Sequence, residues 1–214
     1  MYLSKLTLNV RNRQVQKELA NRYELHRTLM RAFPAELSKD ERILFRMEQD
    51  THTAQAILLA QSFSMPNYSI LPADYLLTNA EVKPFAPALK DGQTLVFRLL
   101  ANPTRRIIKT GEITENLDKS KRVGLLNEED QLKWLERKAA DSGFRLGNVR
   151  STPQPDVIGY RHQDDERQRI TLQAVLFDGV LEVLDTELVQ KAIRAGIGSG
   201  KGFGFGLLSL ARIP

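Results

Sequence analysis

Apolar and polar residues alternate over residues 3–10, where Leu6, Leu8 and Val10 are interleaved with Lys5, Thr7 and Asn9. A period of two predicts a strand with one buried face. Asn21-Arg22-Tyr23-Glu24 has the form of a capping box, with Asn21 set to accept from the first turn and Glu24 to reach back. It predicts a helix over 23–33, which Pro34 stops. Residues 13–20 before it read equally as a helical turn or a loop. Residues 43–49 and 54–62 are strand-like and are joined by the turn formers Asp50-Thr51-His52-Thr53. Residues 66–73 read as a loop or short helix, and 75–82 as a fourth strand. This order of strand, helix, strand, strand, short helix and strand is that of a ferredoxin-like unit.

The pattern then breaks and repeats. Lys83-Pro84-Phe85-Ala86-Pro87-Ala88-Leu89-Lys90-Asp91-Gly92 has no periodicity and marks a linker. Beyond it, 94–101 reads as a strand, and 127–141 as a helix capped by Asn127 with Glu128, Glu129 and Asp130 in its first turn. Residues 144–150 and 169–177 read as middle strands on either side of a proline-broken, charged interval. Asp178-Gly179 reads as a turn into 180–184, followed by a helix over 185–195 and a closing strand over 207–212. The expected fold is α+β, with two tandem ferredoxin-like (RRM-like) βαββαβ domains. They occupy 1–84 and 94–214, with 85–93 as the linker.

Between the last helix and last strand, glycine occupies alternate positions of Gly196-Ile197-Gly198-Ser199-Gly200-Lys201-Gly202-Phe203-Gly204-Phe205-Gly206. Such a segment can adopt positive φ and bring backbone N–H groups close to a ligand. It is not a Walker loop, because Gly202 follows Lys201 where Ser or Thr is needed, and its even glycine offsets do not match a dinucleotide fingerprint. Two readings remain: a nest of N–H donors with one cation, suited to phosphate, or a helix C-cap and hinge.

Composition narrows the setting. The 214 residues include no cysteine, which removes disulfides and cysteine-rich metal sites and fits a cytoplasmic protein. No apolar run approaches membrane-spanning length. The net charge of +5 favours an anionic partner. Over 98–122, seven basic residues (Arg98, Arg105, Arg106, Lys109, Lys119, Lys121 and Arg122) face three acids, either as a phosphate-gripping loop or as a solvated one.

Of the histidines, His52 falls in a hairpin turn and His162 in a charged run that begins at Arg161. His26 shares a helix face with Tyr23, and Arg22, Arg27 and Arg31 are nearby. An imidazole beside a phenol and guanidinium groups can move a proton while the cations hold a phosphate. Met30 and Phe33 on the same face support a plainer reading, a half-buried core histidine. Asp164, Asp165 and Glu166 are the only carboxylate cluster considered for a hard cation, and a solvated hairpin tip explains them as well.

In order and spacing, several segments resemble the type I-E CRISPR RNA-processing endoribonucleases, the CasE subunits of Cascade. These are Met1-Tyr2-Leu3-Ser4-Lys5-Leu6, Tyr23-Glu24-Leu25-His26-Arg27-Thr28-Leu29, Arg98-Leu99-Leu100-Ala101-Asn102-Pro103-Thr104, Lys121-Arg122-Val123, Trp134-Leu135-Glu136-Arg137-Lys138 and the tail 196–210. The resemblance implies binding of a CRISPR repeat hairpin and cleavage at the 3′ base of its stem without a metal or nucleotide cofactor. It further implies retention of the crRNA within Cascade alongside other subunits, with no membrane partner. On this reading His26 and Tyr23 are catalytic. Arg27, Arg31, Arg105, Arg106, Lys119, Lys121, Arg122 and Arg161 bind RNA together with Gly198, Ser199, Gly200, Lys201 and Gly202, and no residue is assigned to a metal. The competing expectation is a non-catalytic RNA-binding subunit built on the same folds.

Overall fold

The computed structural model describes residues 1–37, 41–50, 52–107, 121–163 and 166–213. The first sheet is formed by β1 (Tyr2–Thr7), β2 (Leu44–Gln49), β3 (Ala56–Ser62) and β4 (Glu81–Pro84), in the order β2-β3-β1-β4. The second contains β5 (Thr94–Ala101), β8 (Phe144–Gln163), β9 (Glu166–Val183) and β10 (Leu208–Arg212), in the order β10-β5-β9-β8. All their pairings are antiparallel. Both orders place the first and third strands of the unit at the centre, as a ferredoxin-like fold requires. Residues 85–93 contribute no strand or helix, whereas Lys83 and Pro84, read as linker, belong to edge strand β4.

Helices cover one face of each sheet. In the first half these are α1 (Arg13–Ala20) and α2 (Arg22–Met30), which pack Val15, Leu25 and Leu29 against Leu6, Phe45 and Leu58. In the second, α3 (Glu128–Asp141) and α4 (Thr186–Ala195) pack Trp134, Leu135, Val189 and Ile193 against Leu99, Phe177 and Leu181. Asn127 and Asp185 cap α3 and α4 by accepting from first-turn N–H groups, so these termini follow the sequence directly. A two-stranded ribbon, β6 (Thr104–Ile107) with β7 (Lys121–Gly124), extends from the end of β5.

One open reading is resolved and three expectations require correction, four points in all. Residues 13–20 form a full helix, because Asn12 accepts from the N–H groups of Gln14 and Val15. The capping box at Asn21 does not form: α2 has no side-chain cap there, and Asn21 Oδ1 accepts from the Tyr160 N–H of β8 at 3.1 Å. Residues 75–80 are not a strand. They touch the residue just past β1 through the isolated Leu8–Leu76 bridge, after Asp74 turns the chain at φ +57°, and pairing with β1 begins at Glu81.

The fourth concerns 144–183, where Asp178-Gly179 is not a turn. β9 passes straight through it, opposite a bulge between Leu146 and Val149 of β8. Gly179 is needed there for close approach, since a Cβ would lie 2.4 Å from the Asn148 carbonyl oxygen. The proline-broken interval remains a strand because β8 is at the sheet edge, where Pro153 and Pro155 need supply no ladder N–H, and a second shift falls between Gln154 and Val157.

Two buried side chains of the first sheet hold the second. Arg46, 2% exposed, donates to the Leu207 carbonyl (3.1 Å) and to Ser209 Oγ (3.0 Å) of the last strand region, while Glu48 balances its charge. Gln61 donates to the Ile193 carbonyl at the end of α4 (2.6 Å).

Candidate active site

Helix α2 is held from two sides. Buried Glu18 of α1 accepts from Thr28 Oγ1 of α2 (2.7 Å), from Gln14 Nε2 (2.8 Å) and from the Tyr75 hydroxyl. Burial, followed by the Glu18 contact, drives the Tyr75 phenol well above its ordinary pKa, so it remains a donor. On the other side, the Tyr160–Asn21 bond ties the start of α2 to β8. The helix is thereby fixed where both halves of the chain meet.

One face of α2 presents Tyr23 and His26 to the glycine-rich loop. The His26 ring lies parallel to Phe45, with centroids 5.9 Å apart and planes at 7°. Its Cδ2–Nε2 edge faces Gly202: a Cβ at that position would lie 3.3 Å from Cδ2 and 3.6 Å from Nε2. Tyr23 meets Phe203 of the same loop, with centroids 5.9 Å apart. His26 is therefore half-buried, as the plainer reading expected, yet its edge lies against the loop rather than among aliphatic side chains.

Burial lowers the His26 pKa below its ordinary value. Its Nδ1 is buried and has no hydrogen-bond partner among the described residues. At neutral pH the ring is therefore uncharged and able to accept a proton.

The loop has a fixed form. Gly196, Gly198, Gly200, Gly204 and Gly206 all have positive φ. Its ends are closed by Ile197 N–H donating to the Gly206 carbonyl (2.9 Å) and by Gly206 N–H donating to Leu100 of β5 (2.9 Å). A Cβ on Gly206 would sit 2.8 Å from the Ile197 carbonyl oxygen, so closure needs glycine for space as well as for φ. Between these ends, Lys201–Phe203 make one 3₁₀ turn. Lys201 Nζ donates to the Gly198 carbonyl (2.9 Å), and burial, with Arg42 and Lys138 nearby, lowers its pKa.

The remaining expected RNA-binding residues are spread around this centre. Arg27 is exposed and paired with Glu24 (3.1 Å), and Arg31 is exposed just beyond α2. Arg105 and Arg106 point to solvent from β6. Arg122 of β7 lines a cleft of about 480 Å³ together with Ser199, Gly200 and Phe203, which brings the basic ribbon and the glycine loop to one surface. Gly198 packs under Trp134, where a Cβ would be 3.1 Å from the indole. Lys121 and Arg161 occupy β7 and the far end of β8. Lys119, Asp164 and Asp165 lie outside the described residues. Among the described residues, no three His, Asp or Glu side chains are grouped as metal ligands.

Reading the sequence missed Phe203, Phe45 and Gly159. Phe203 stands between Tyr23 and Gly159 of β8, where a Cβ would fall 2.3 Å from its ring. The sequence signal was an aromatic set among alternating glycines, which only the fold gives a meaning.

An imidazole, a phenol and a backbone-rich loop on one surface, flanked by cations, suit proton transfer at a phosphodiester. The model of the CRISPR associated protein family matches residues 1–212, and the chain belongs to that family. It is 40% identical over 223 residues to the CRISPR-associated endoribonuclease Cse3 of Thermus thermophilus, spanning 99% of this chain and 100% of that protein. It is 31% identical over 215 residues to the CRISPR system Cascade subunit CasE of Escherichia coli, spanning 99% of each. The structure of Thermus thermophilus Cse3 bound to an RNA representing a pre-cleavage complex matches with a TM-score of 0.81 at 38% identity, covering 98% of each chain.

Proposed function

We propose that this chain is an endoribonuclease that binds the hairpin of CRISPR repeat RNA, cuts pre-crRNA at the 3′ base of the stem and keeps the crRNA as a Cascade subunit in the cytoplasm. The observation that carries this reading is the imidazole edge of His26 set against Gly202 of a loop ordered by left-handed glycines. Similarity to Cse3 and CasE supports both the RNA substrate and the assembly. Domains 1–84 and 94–214, joined by 85–93, together form the RNA-binding surface.

In the reaction, the ribose 2′-oxygen attacks the adjacent phosphorus and the bond to the 5′-oxygen breaks, leaving a 2′,3′-cyclic phosphate and a 5′-hydroxyl. His26 takes the 2′ proton, a role that its lowered pKa supports, and the leaving 5′-oxygen takes a proton from water. Tyr23 orients the ribose or the imidazole. The loop N–H groups and Lys201 meet charge that builds on the phosphoryl oxygens. This route calls for no metal. Incubating repeat hairpins in chelator, with end-group analysis, tests it: cyclic-phosphate and 5′-hydroxyl ends are expected, and a 2′-deoxy at the cleavage position should abolish cutting but not binding. A hairpin bound but left whole would identify a non-catalytic RNA-binding subunit instead.

The pH dependence has a definite sign. Because burial lowers the His26 pKa, the free protein holds the base form down to pH values below the ordinary 6.5. The acid limb of kcat/KM should accordingly lie below about 6.5, and a limb above it would contradict the base role.

Arg105 and Arg106 project from the ribbon that shares a surface with the glycine loop. Replacing both with Glu should weaken hairpin binding and flatten its dependence on salt, since each lost phosphate contact removes close to one unit of slope. An unchanged slope in a salt titration would take the ribbon out of the interface.

A further inference from the structure

Arg22 opens α2 one turn before His26, so the two side chains share a helix face. Among the described residues its guanidinium forms no ion pair, and its buried Nη1 has no hydrogen-bond partner. Glu24 pairs with Arg27, and Glu48 with Arg46 and Arg98; Glu48 and Asp156 line the same cleft as Arg22, yet among the described residues neither forms an ion pair with it. Arg22 is half-buried, and a buried guanidinium nitrogen left without a partner costs the folded chain stability, so packing alone would be better served by an apolar residue. Arg22 also lines a cleft of about 550 Å³ between the two halves, bordered by Arg46, Ile158, Phe203 and Gly204. Neither Tyr23 nor His26 lines that cleft.

We infer that Arg22 is a substrate-positioning residue whose missing counter-charge is a backbone phosphate of the RNA neighbouring the scissile one, held in this cleft. The inference rests on the proposed RNA substrate. The scissile phosphate belongs beside His26 and Gly202, and the strand continues past Phe203 into the cleft, where the planar guanidinium can grip the next phosphate through two N–H groups. Burial that lowers the Arg22 pKa has the same origin, a cation desolvated ahead of its partner.

The test uses the full chain and a repeat hairpin made uncleavable by a 2′-deoxy at the cleavage position. Each phosphate around that position is replaced in turn by an uncharged methylphosphonate. For wild type, one replacement other than the scissile one should weaken binding about 10- to 100-fold, the range for a charge-assisted hydrogen bond. Arg22→Gln should show a similar loss with the unmodified hairpin, and that same replacement should then cost it little more. Without RNA, Arg22→Gln should melt no lower than wild type, which a merely structural arginine would not allow. Arg22→Lys, which keeps the charge and loses the fork, should bind with intermediate affinity and serves if the Gln variant fails to fold. Variants that bind as wild type, or losses that add at every position, would overturn the inference. Failure of wild type to bind the hairpin at all would overturn the proposed function instead.

Discussion

Replacing His26 by alanine should slow single-turnover cleavage of a repeat hairpin by about 10²- to 10⁴-fold, the usual worth of a positioned general base or acid. Hairpin affinity should stay near that of wild type if, as proposed, phosphate contacts from the basic surfaces supply most of it. The separation of the two effects is the informative part. His26 stacks on Phe45 and borders Gly202, so the variant also loses some packing, and a thermal melt must show it folded. Undiminished cleavage would remove the imidazole from the chemistry, whereas a fall in binding as large as the fall in rate would make it a contact residue. Gly202→Ala offers a milder probe: its Cβ would come 3.3 Å from the ring and should displace it without deleting it.

The second large effect is on stability. Glu18 is 5% exposed and accepts from Thr28, Gln14 and the Tyr75 hydroxyl, joining α1, α2 and the segment before β4. Glu18→Ala leaves these three donors without their acceptor and opens a cavity beneath α2. The expected loss is about 2–5 kcal/mol, read in a thermal melt as a drop of roughly 5–15 °C. Glu18→Gln, which still offers one accepting oxygen, should fall between the two. Cleavage should weaken along with stability because Thr28 lies two residues from His26. A loss below about 1 kcal/mol would mean that water or a shifted side chain satisfies the donors.

Much of this arrangement was legible beforehand, and the failures share a cause. The alternation in β1 and the caps of α3 and α4 depend on neighbours within one turn or one strand, so residue order sufficed. Asn21 was misread because its oxygen is taken by Tyr160, 139 positions away, a partner that no local pattern encodes. Asp178-Gly179 has turn chemistry, but the bulge in the facing strand uses the glycine for clearance instead. His26 could be nominated from its helix face, yet its placement against Gly202, on which the proposed catalytic role rests, comes only from the fold. Arg22 was visible only as one cation among several. What distinguishes it is a buried guanidinium nitrogen without a partner among the described residues, a property of its surroundings and not of its sequence.

Arg46 and Gln61 reach from one half of the chain to main-chain oxygens and a hydroxyl of the other. Such bolts would have to be drawn before the halves could swing apart, so widening the groove between them costs these buried hydrogen bonds, roughly 1 kcal/mol each. For the same reason, a backbone nick within 85–93 should leave a particle that stays in one piece.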